Sequence, residues 1–180
     1  MLHLYGQKYE TIRQNIQTKK HTNRKGKWIK IKNMKKVEIY TDGACSGNPG
    51  AGGWAAILIY GKAEKSFSGG CKLTTNNRME LFAIIEGLKK LKEPCAVTIY
   101  SDSAYCVNAF NEGWLNSWQK NNWKNSEKEE VKNRDLWADL LLAMQKHKVT
   151  FVKVKGHSDN EYNNLCDKLA REEIAKLSVQ

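Results

Sequence analysis

The chain has 180 residues and a formal charge of +11, enough for one domain with a real core. No stretch approaches the roughly 20 consecutive apolar residues a membrane span needs, and the N-terminus lacks the apolar core of a secretory signal, so membrane insertion and secretion are both excluded as expectations. Five cysteines, Cys45, Cys71, Cys95, Cys106 and Cys166, are odd in number and scattered, which argues against a disulfide framework or a close metal-binding pair and for reduced thiols in the cytoplasm.

Residues 1–33 are polar and carry nine Lys or Arg against Glu10 alone, whereas 34–180 carry 21 against 18. A segment this basic attracts polyanions such as nucleic acid, although a solvated arm has the same composition. We expect 1–33 to be a basic extension, flexible or read from an upstream start. The folded domain is expected over 34–180, opening at Met34.

The first strand is VEIYTDG at 37–43. GACSGNPGAGG at 43–53 then reads as a glycine-rich loop, and apolar or alternating runs at 54–60 and 65–73 read as an antiparallel meander with the first strand. Cap residues and helical spacing predict a helix over 74–91, crossing over to a strand at 97–103. Helices follow at about 103–111, 114–121 and 134–147, then a strand at 149–154 and a helix at 164–177. This order predicts an α/β fold with a mixed sheet.

VEIYTDG and VTIYSDS, at 37–43 and 97–103, share one pattern. Alternation places Tyr40 and Asp42 on one face of their strand, as it does Tyr100 and Asp102, so adjacent parallel strands would set both aspartates at one sheet edge, where open α/β sheets place their chemistry. Glu80 and Asp167 are the other acids of interest. Each of the four has a plain alternative: Asn77 and Glu80 have capping-box spacing, Asp167 could pair with Arg171 one turn on, and Asp42 and Asp102 could begin turns. Four convergent carboxylates would repel without a cation, which favours Mg²⁺ or Mn²⁺. Two such ions about 4 Å apart are the apparatus for in-line attack of water on a phosphodiester.

The glycine-rich segment lacks the terminal GK[ST] of a P-loop and the GxGxxG spacing of a dinucleotide site. It fits either a turn with positive φ or a backbone that approaches nucleic acid closely. Trp114, Trp118 and Trp123 are interleaved with Lys120, Lys124, Lys128, Lys132 and Arg134, a pattern that suits sugar and phosphate contact. Trp114 and Trp118, four apart, also fit a helix's core stripe. His157, beside Gly156, is either an ordinary loop histidine or a proton shuttle.

These segments resemble the type 1 ribonucleases H in their bacterial, single-domain form. The resemblance runs from about 36 to 175 and is carried by YTDGACSGNPGAGGW, TTNNRMEL, YSDSAY, WLNSWQKNNWK, VKNRDLW and VKGHSDNEYNNLCDKLAR. It implies a five-stranded mixed sheet, an antiparallel meander plus parallel strands, flanked by helices. It implies hydrolysis of the RNA strand of RNA/DNA hybrids, leaving 5'-phosphate and 3'-hydroxyl ends, by a monomer using two Mg²⁺ ions. The metal-binding carboxylates map onto Asp42, Glu80, Asp102 and Asp167, and His157 matches an auxiliary histidine. Asn48, Asn76 and Asn77, with the glycine-rich backbone at Cys45 and Gly47, match contacts to RNA 2'-hydroxyls, the group that tells RNA from DNA. The tryptophan handle with Lys120 and Lys124 matches further substrate contacts. In two respects the chain departs from the family: Ala104 replaces a glutamine found in several members, and Glu127, Glu129 and Glu130 dilute the basic handle. The basic segment 1–33 is expected to compensate, so that its deletion weakens hybrid binding and flattens the salt dependence.

Overall fold

Alternate burial of Val37, Ile39 and Thr41, with Lys36 and Glu38 exposed, is what a strand with one covered face requires, and this run forms the middle of the sheet. In the computed structural model, which describes residues 34–156 and 160–178, all the regular elements belong to one compact unit, Lys35–Gln180. The basic segment 1–33 lies outside the described residues.

Strands β1 (Lys35–Gly47), β2 (Gly50–Tyr60), β3 (Ala63–Thr74), β4 (Cys95–Ser101) and β5 (Lys148–Lys153) form a single sheet in the order β3-β2-β1-β4-β5. β1, β2 and β3 are antiparallel neighbours, and β4 runs parallel to both β1 and β5. Among the described residues five helices accompany it: α1 (Asn76–Lys89), α2 (Ala104–Asn111), α3 (Trp114–Lys120), α4 (Arg134–Met144) and α5 (Glu161–Ser178). This is the predicted five-stranded mixed α/β sheet. No described helix is long and apolar enough to cross a membrane.

α1 buries Leu81, Ile84, Ile85 and Leu88 against the face that carries Val37 and Ile39, and Val97 and Ile99 of β4 complete that layer. Each fully buried side chain of this size contributes roughly 1.5–3 kcal/mol of transfer free energy. Trp137 of α4, fully buried, fills the space between the sheet and the middle helices, its Nε1 donating to the Tyr105 hydroxyl at 2.9 Å. On the opposite face α5 seats Cys166 and Ala170 over Ala55 and Ile57.

The glycine-rich segment differs from the expected loop. It is the end of β1 and the start of β2, paired as far as Gly47 with Gly50 and joined only by Asn48 and Pro49 through a cis peptide bond. Its glycines serve tertiary approach: a methyl group at Gly43 would run into the backbone of Met79 and Glu80, and one at Gly53 into the backbone of Ala170. One helix thus comes down on each face. α5 also begins three residues earlier than its apolar spacing suggested, because Asn160 caps it, its Oδ1 accepting from the Asn163 N–H at 3.0 Å.

Candidate active site

The pairing of β1 with β4 runs to Tyr40 opposite Tyr100, after which β4 ends at Ser101 while β1 continues with β2. Asp42 and Asp102 stand two residues beyond the Tyr40/Tyr100 level, on the face set by the two tyrosines, whose rings stack with centroids 4.5 Å apart. The strand expected over 37–43 therefore runs on to Gly47, and Asp42 lies just past the point where its parallel neighbour stops. Asp102 is held from both sides by hydroxyls. Ser101 Oγ accepts from the Ser103 N–H at 3.2 Å, and Ser103 caps α2 by accepting from the Cys106 N–H at 3.4 Å.

Glu80 arrives from α1 because Gly43 lets the start of that helix rest on β1. The cap of α1 is Thr75, without a side-chain cap bond, and Asn77 is exposed, so the capping-box alternative for Glu80 is not formed. Glu80 is instead 5% exposed and turned to the acids, and Asp42 is 6% exposed. One oxygen from each of Asp42, Glu80 and Asp102 lies within 4.8 Å of the others.

Burial, reinforced by Asp102, pushes Asp42 up to about 7 from an ordinary carboxylate value. Burial, then Asp42 and Asp102, push Glu80 well above its usual range. Glu80 Oε2 is buried with no hydrogen-bond partner. Desolvated like charges of this kind take up protons or a cation. The donor set is all oxygen and already convergent, so it fits a hard divalent ion.

Each of the three carboxylates has one oxygen held by one donor. Asp42 Oδ1 accepts from the Gly43 N–H at 2.8 Å, Glu80 Oε1 from Asn76 Nδ2 at 3.4 Å, and Asp102 Oδ2 from Asn163 Nδ2 at 3.3 Å. Asp167, expected as the fourth ligand, lines the same cleft of about 510 Å³ but stands outside the cluster. Its Oδ1 accepts from Arg171 Nε at 2.7 Å, so the helical ion pair weighed from the sequence is formed. His157 lies outside the described residues.

The residues expected to touch substrate fall into two groups. At the hairpin tip, the Asn76 N–H donates to Asn48 Oδ1 at 3.3 Å, Cys45 Sγ donates to the carbonyls of Gly50 and Thr74 at 3.6 and 3.5 Å, and Gly47 has φ +93°. Asn48 is thereby held to Asn76, which lines the cleft, and Asn77 beside it is exposed. In the handle, Lys120 and Lys124 are exposed and Trp114 and Trp118 half-buried, with Trp118 edge-on to Trp137 at 5.5 Å. Trp123 is 7% exposed, with the Arg134 guanidinium 5.7 Å from its ring centroid, so it lies inside the handle and not on its surface. Arg78 at the start of α1 forks onto both oxygens of Asp135 at the start of α4, at 3.0 and 2.7 Å. Ala104 is exposed at the start of α2.

Sequence reasoning missed Asn163 and Gly156. The signal for Asn163 was its place four residues before Asp167, one turn away on the same helix face; nothing in the sequence marked Gly156 apart from its neighbour His157.

The sequence profile of the RNase H family matches residues 34–175. The chain belongs to the ribonuclease H family. As a ribonuclease H it is a phosphodiester hydrolase. The Ribonuclease H of Caldanaerobacter subterraneus subsp. tengcongensis is 66% identical over 140 residues, covering 78% of this chain and 92% of that one. The Ribonuclease H of Acetivibrio thermocellus is also 66% identical, over 145 residues that cover 81% of this chain and 99% of its own. Among solved structures, LC9-RNase H1, a type 1 RNase H with the type 2 active-site motif, is similar with a TM-score of 0.72 at 25% identity, over 80% of this chain and 74% of that chain. LC11-RNase H1 in complex with an RNA/DNA hybrid shares the fold, with a TM-score of 0.61 at 23% identity over 80% of this chain and 99% of that chain.

Proposed function

We propose that this ribonuclease H cuts the RNA strand of RNA/DNA hybrids at the cleft of Asp42, Glu80, Asp102 and Asp167, leaving 5'-phosphate and 3'-hydroxyl ends. The observation that carries the reading is the convergence of three carboxylate oxygens within 4.8 Å, two of the carboxyls buried and raised in pKa. We assign two divalent ions to the site, Mg²⁺ by preference with Mn²⁺ as a substitute. When bound, such ions supply Lewis acidity and a water acidic enough to attack at neutral pH.

The chain's own residues hold and aim. Asp42 and Asp102 are the central ligands, Glu80 closes the site from α1, and Asp167 completes it from α5 once it leaves Arg171. Asn48, Asn76 and Asn77, with the backbone at Cys45 and Gly47, grip RNA 2'-hydroxyls at the hairpin tip. Lys120 and Lys124, with the half-exposed faces of Trp114 and Trp118, meet backbone phosphate and sugar. All four acids come from one chain, which supports action as a monomer. The five cysteines are free thiols, which supports a reducing compartment such as the cytoplasm.

The test is cleavage of a strand-labelled RNA/DNA hybrid beside single-stranded RNA and duplex DNA, with and without Mg²⁺, by wild type and Asp42→Asn. Cutting of the hybrid's RNA strand only, with metal only and by wild type only, is expected. A wild-type protein that binds the hybrid and never cuts it under Mg²⁺ or Mn²⁺ would overturn the reading.

A further inference from the structure

Asp102 is the one member of the acidic trio whose restraint comes from elements remote in sequence. Its backbone is fixed locally by the Ser101 and Ser103 hydroxyls, which leaves the side-chain torsions to be set by what surrounds the carboxylate. Two neighbours do so. Asn163 Nδ2 of α5 donates to Asp102 Oδ2 at 3.3 Å. On another side the backbone of Gly156 comes so close that a Cβ placed there would lie 2.6 Å from the same oxygen.

Asn163 itself is 2% exposed, lines the cleft and keeps its Oδ1 buried with no hydrogen-bond partner. Leaving a buried acceptor unmade costs about 1–3 kcal/mol, and an apolar residue in its place would avoid that. A side chain with this defect needs a reason to be an amide, and the opposite end of the same amide supplies one. Its backbone is anchored where it must be, since the Asn160 cap fixes the Asn163 N–H at 3.0 Å.

We propose that Asn163 is a positioning residue for the hydrolytic reaction: with the bare backbone of Gly156 it locks one oxygen of Asp102 so that the other is aimed at Asp42 and Glu80, ready for a divalent cation. The inference rests on the metal-dependent reading of the cleft given above. Loss of the Asn163 donor frees the carboxylate to rotate. A methyl group at position 156 instead pushes the carboxylate aside without touching α5. Both changes act on one group, so their effects do not add.

The experiment uses the full chain as wild type, Asn163→Ala, Gly156→Ala and the double variant. Mg²⁺ affinity is measured by titration calorimetry without nucleic acid, kcat and KM on an RNA/DNA hybrid, and melting temperature in EDTA. Each single variant is expected to weaken Mg²⁺ binding about tenfold or more and to lower kcat with KM unchanged. The double variant is expected to match the worse single one, and melting in EDTA to change little. Single variants with wild-type Mg²⁺ affinity and kcat, or with losses confined to KM or to melting temperature, overturn the proposal. If Asn163→Ala does not fold, Gly156→Ala decides alone, because the atoms nearest its methyl are those of the Asp102 side chain and α5 keeps its own sequence. A wild type that binds no Mg²⁺ and cuts no hybrid fails the reading of the cleft itself, a different result from variants that match an active wild type.

Discussion

Strand β4 is gripped at both ends by buried polar side chains, and the two ends respond to protons in opposite senses. At its start, the Cys95 N–H donates to Nδ1 of His147 at 3.2 Å, and that imidazole, 4% exposed, is pushed down to about 4 by burial and then by Lys146. At its far end Asp102 helps push Asp42 up to about 7. Both ends keep a buried polar atom unpartnered, Nε2 of His147 and Oε2 of Glu80. The first end is satisfied by remaining neutral and is structural. The second is satisfied only by protons or by a cation, and that unmet demand distinguishes a binding site from a core defect.

The largest test of this contrast is Asp42→Asn. If Asp42 is the central metal ligand proposed above, its loss removes several kcal/mol of transition-state stabilisation, so turnover is expected to fall by about a thousandfold or more. Stability should move the other way. A carboxyl whose folded pKa is raised favours folding at pH below its unfolded value, near 4, and loses that contribution as pH rises through about 7. In EDTA at pH 8 the variant is therefore expected to melt above wild type, with the gap closing by pH 5. Equal melting temperatures at pH 8 would show that the cluster carries no strain.

His147→Gln probes the other end with the opposite sign. Because the folded imidazole titrates near 4 and the unfolded one near 6.5, its contribution is complete above pH 6.5 and is lost as pH falls toward 4. Denaturant unfolding in the Asp42→Asn background is expected to show a loss on the order of 1–2 kcal/mol across that window, after allowance for solvent screening. Placing His147→Gln on top should flatten it. A slope that survives the change would assign it to another group.

The smallest effect is expected at Arg171, whose side chain is 64% exposed and whose ion pair with Asp167 is correspondingly weak. Arg171→Ala frees Asp167 for metal, and the Mg²⁺ concentration giving half-maximal cleavage should fall by no more than about fivefold, since exposed pairs contribute up to about 1 kcal/mol. A rise would mean that Arg171 helps to hold the site together.

Much of this was legible in the chain because strands repeat every two residues. VEIYTDG and VTIYSDS revealed their own pairing, and the parallel register of Tyr40 with Tyr100 delivers the two aspartates side by side. Glycine at 43 and 53 was misleading, since the sequence shows that a side chain is missing but not which helix needs the space. Trp123 was read toward the surface by its lysine neighbours, although its burial under Arg134 depends on a partner eleven residues away. Asn163 was illegible for a related reason. Helical periodicity marks which face a residue shares, whereas its hydrogen bond joins α5 to a turn 61 residues earlier.

β1 passes its parallel partner and runs unbroken from Asp42 to Gly47 before the chain turns at Asn48. The proposed point of scission and the proposed grip on RNA thus share one continuous ladder, six residues or roughly 20 Å from end to end at the rise of an extended strand. That stretch is a ruler without a hinge, stiffened by β2 along its length and pinned at its tip by the Asn48 bond to the start of α1. Adding or removing a single residue within it would reverse the face that Asp42 presents relative to the tip, so the distance from grip to cut is fixed by the register of the pairing.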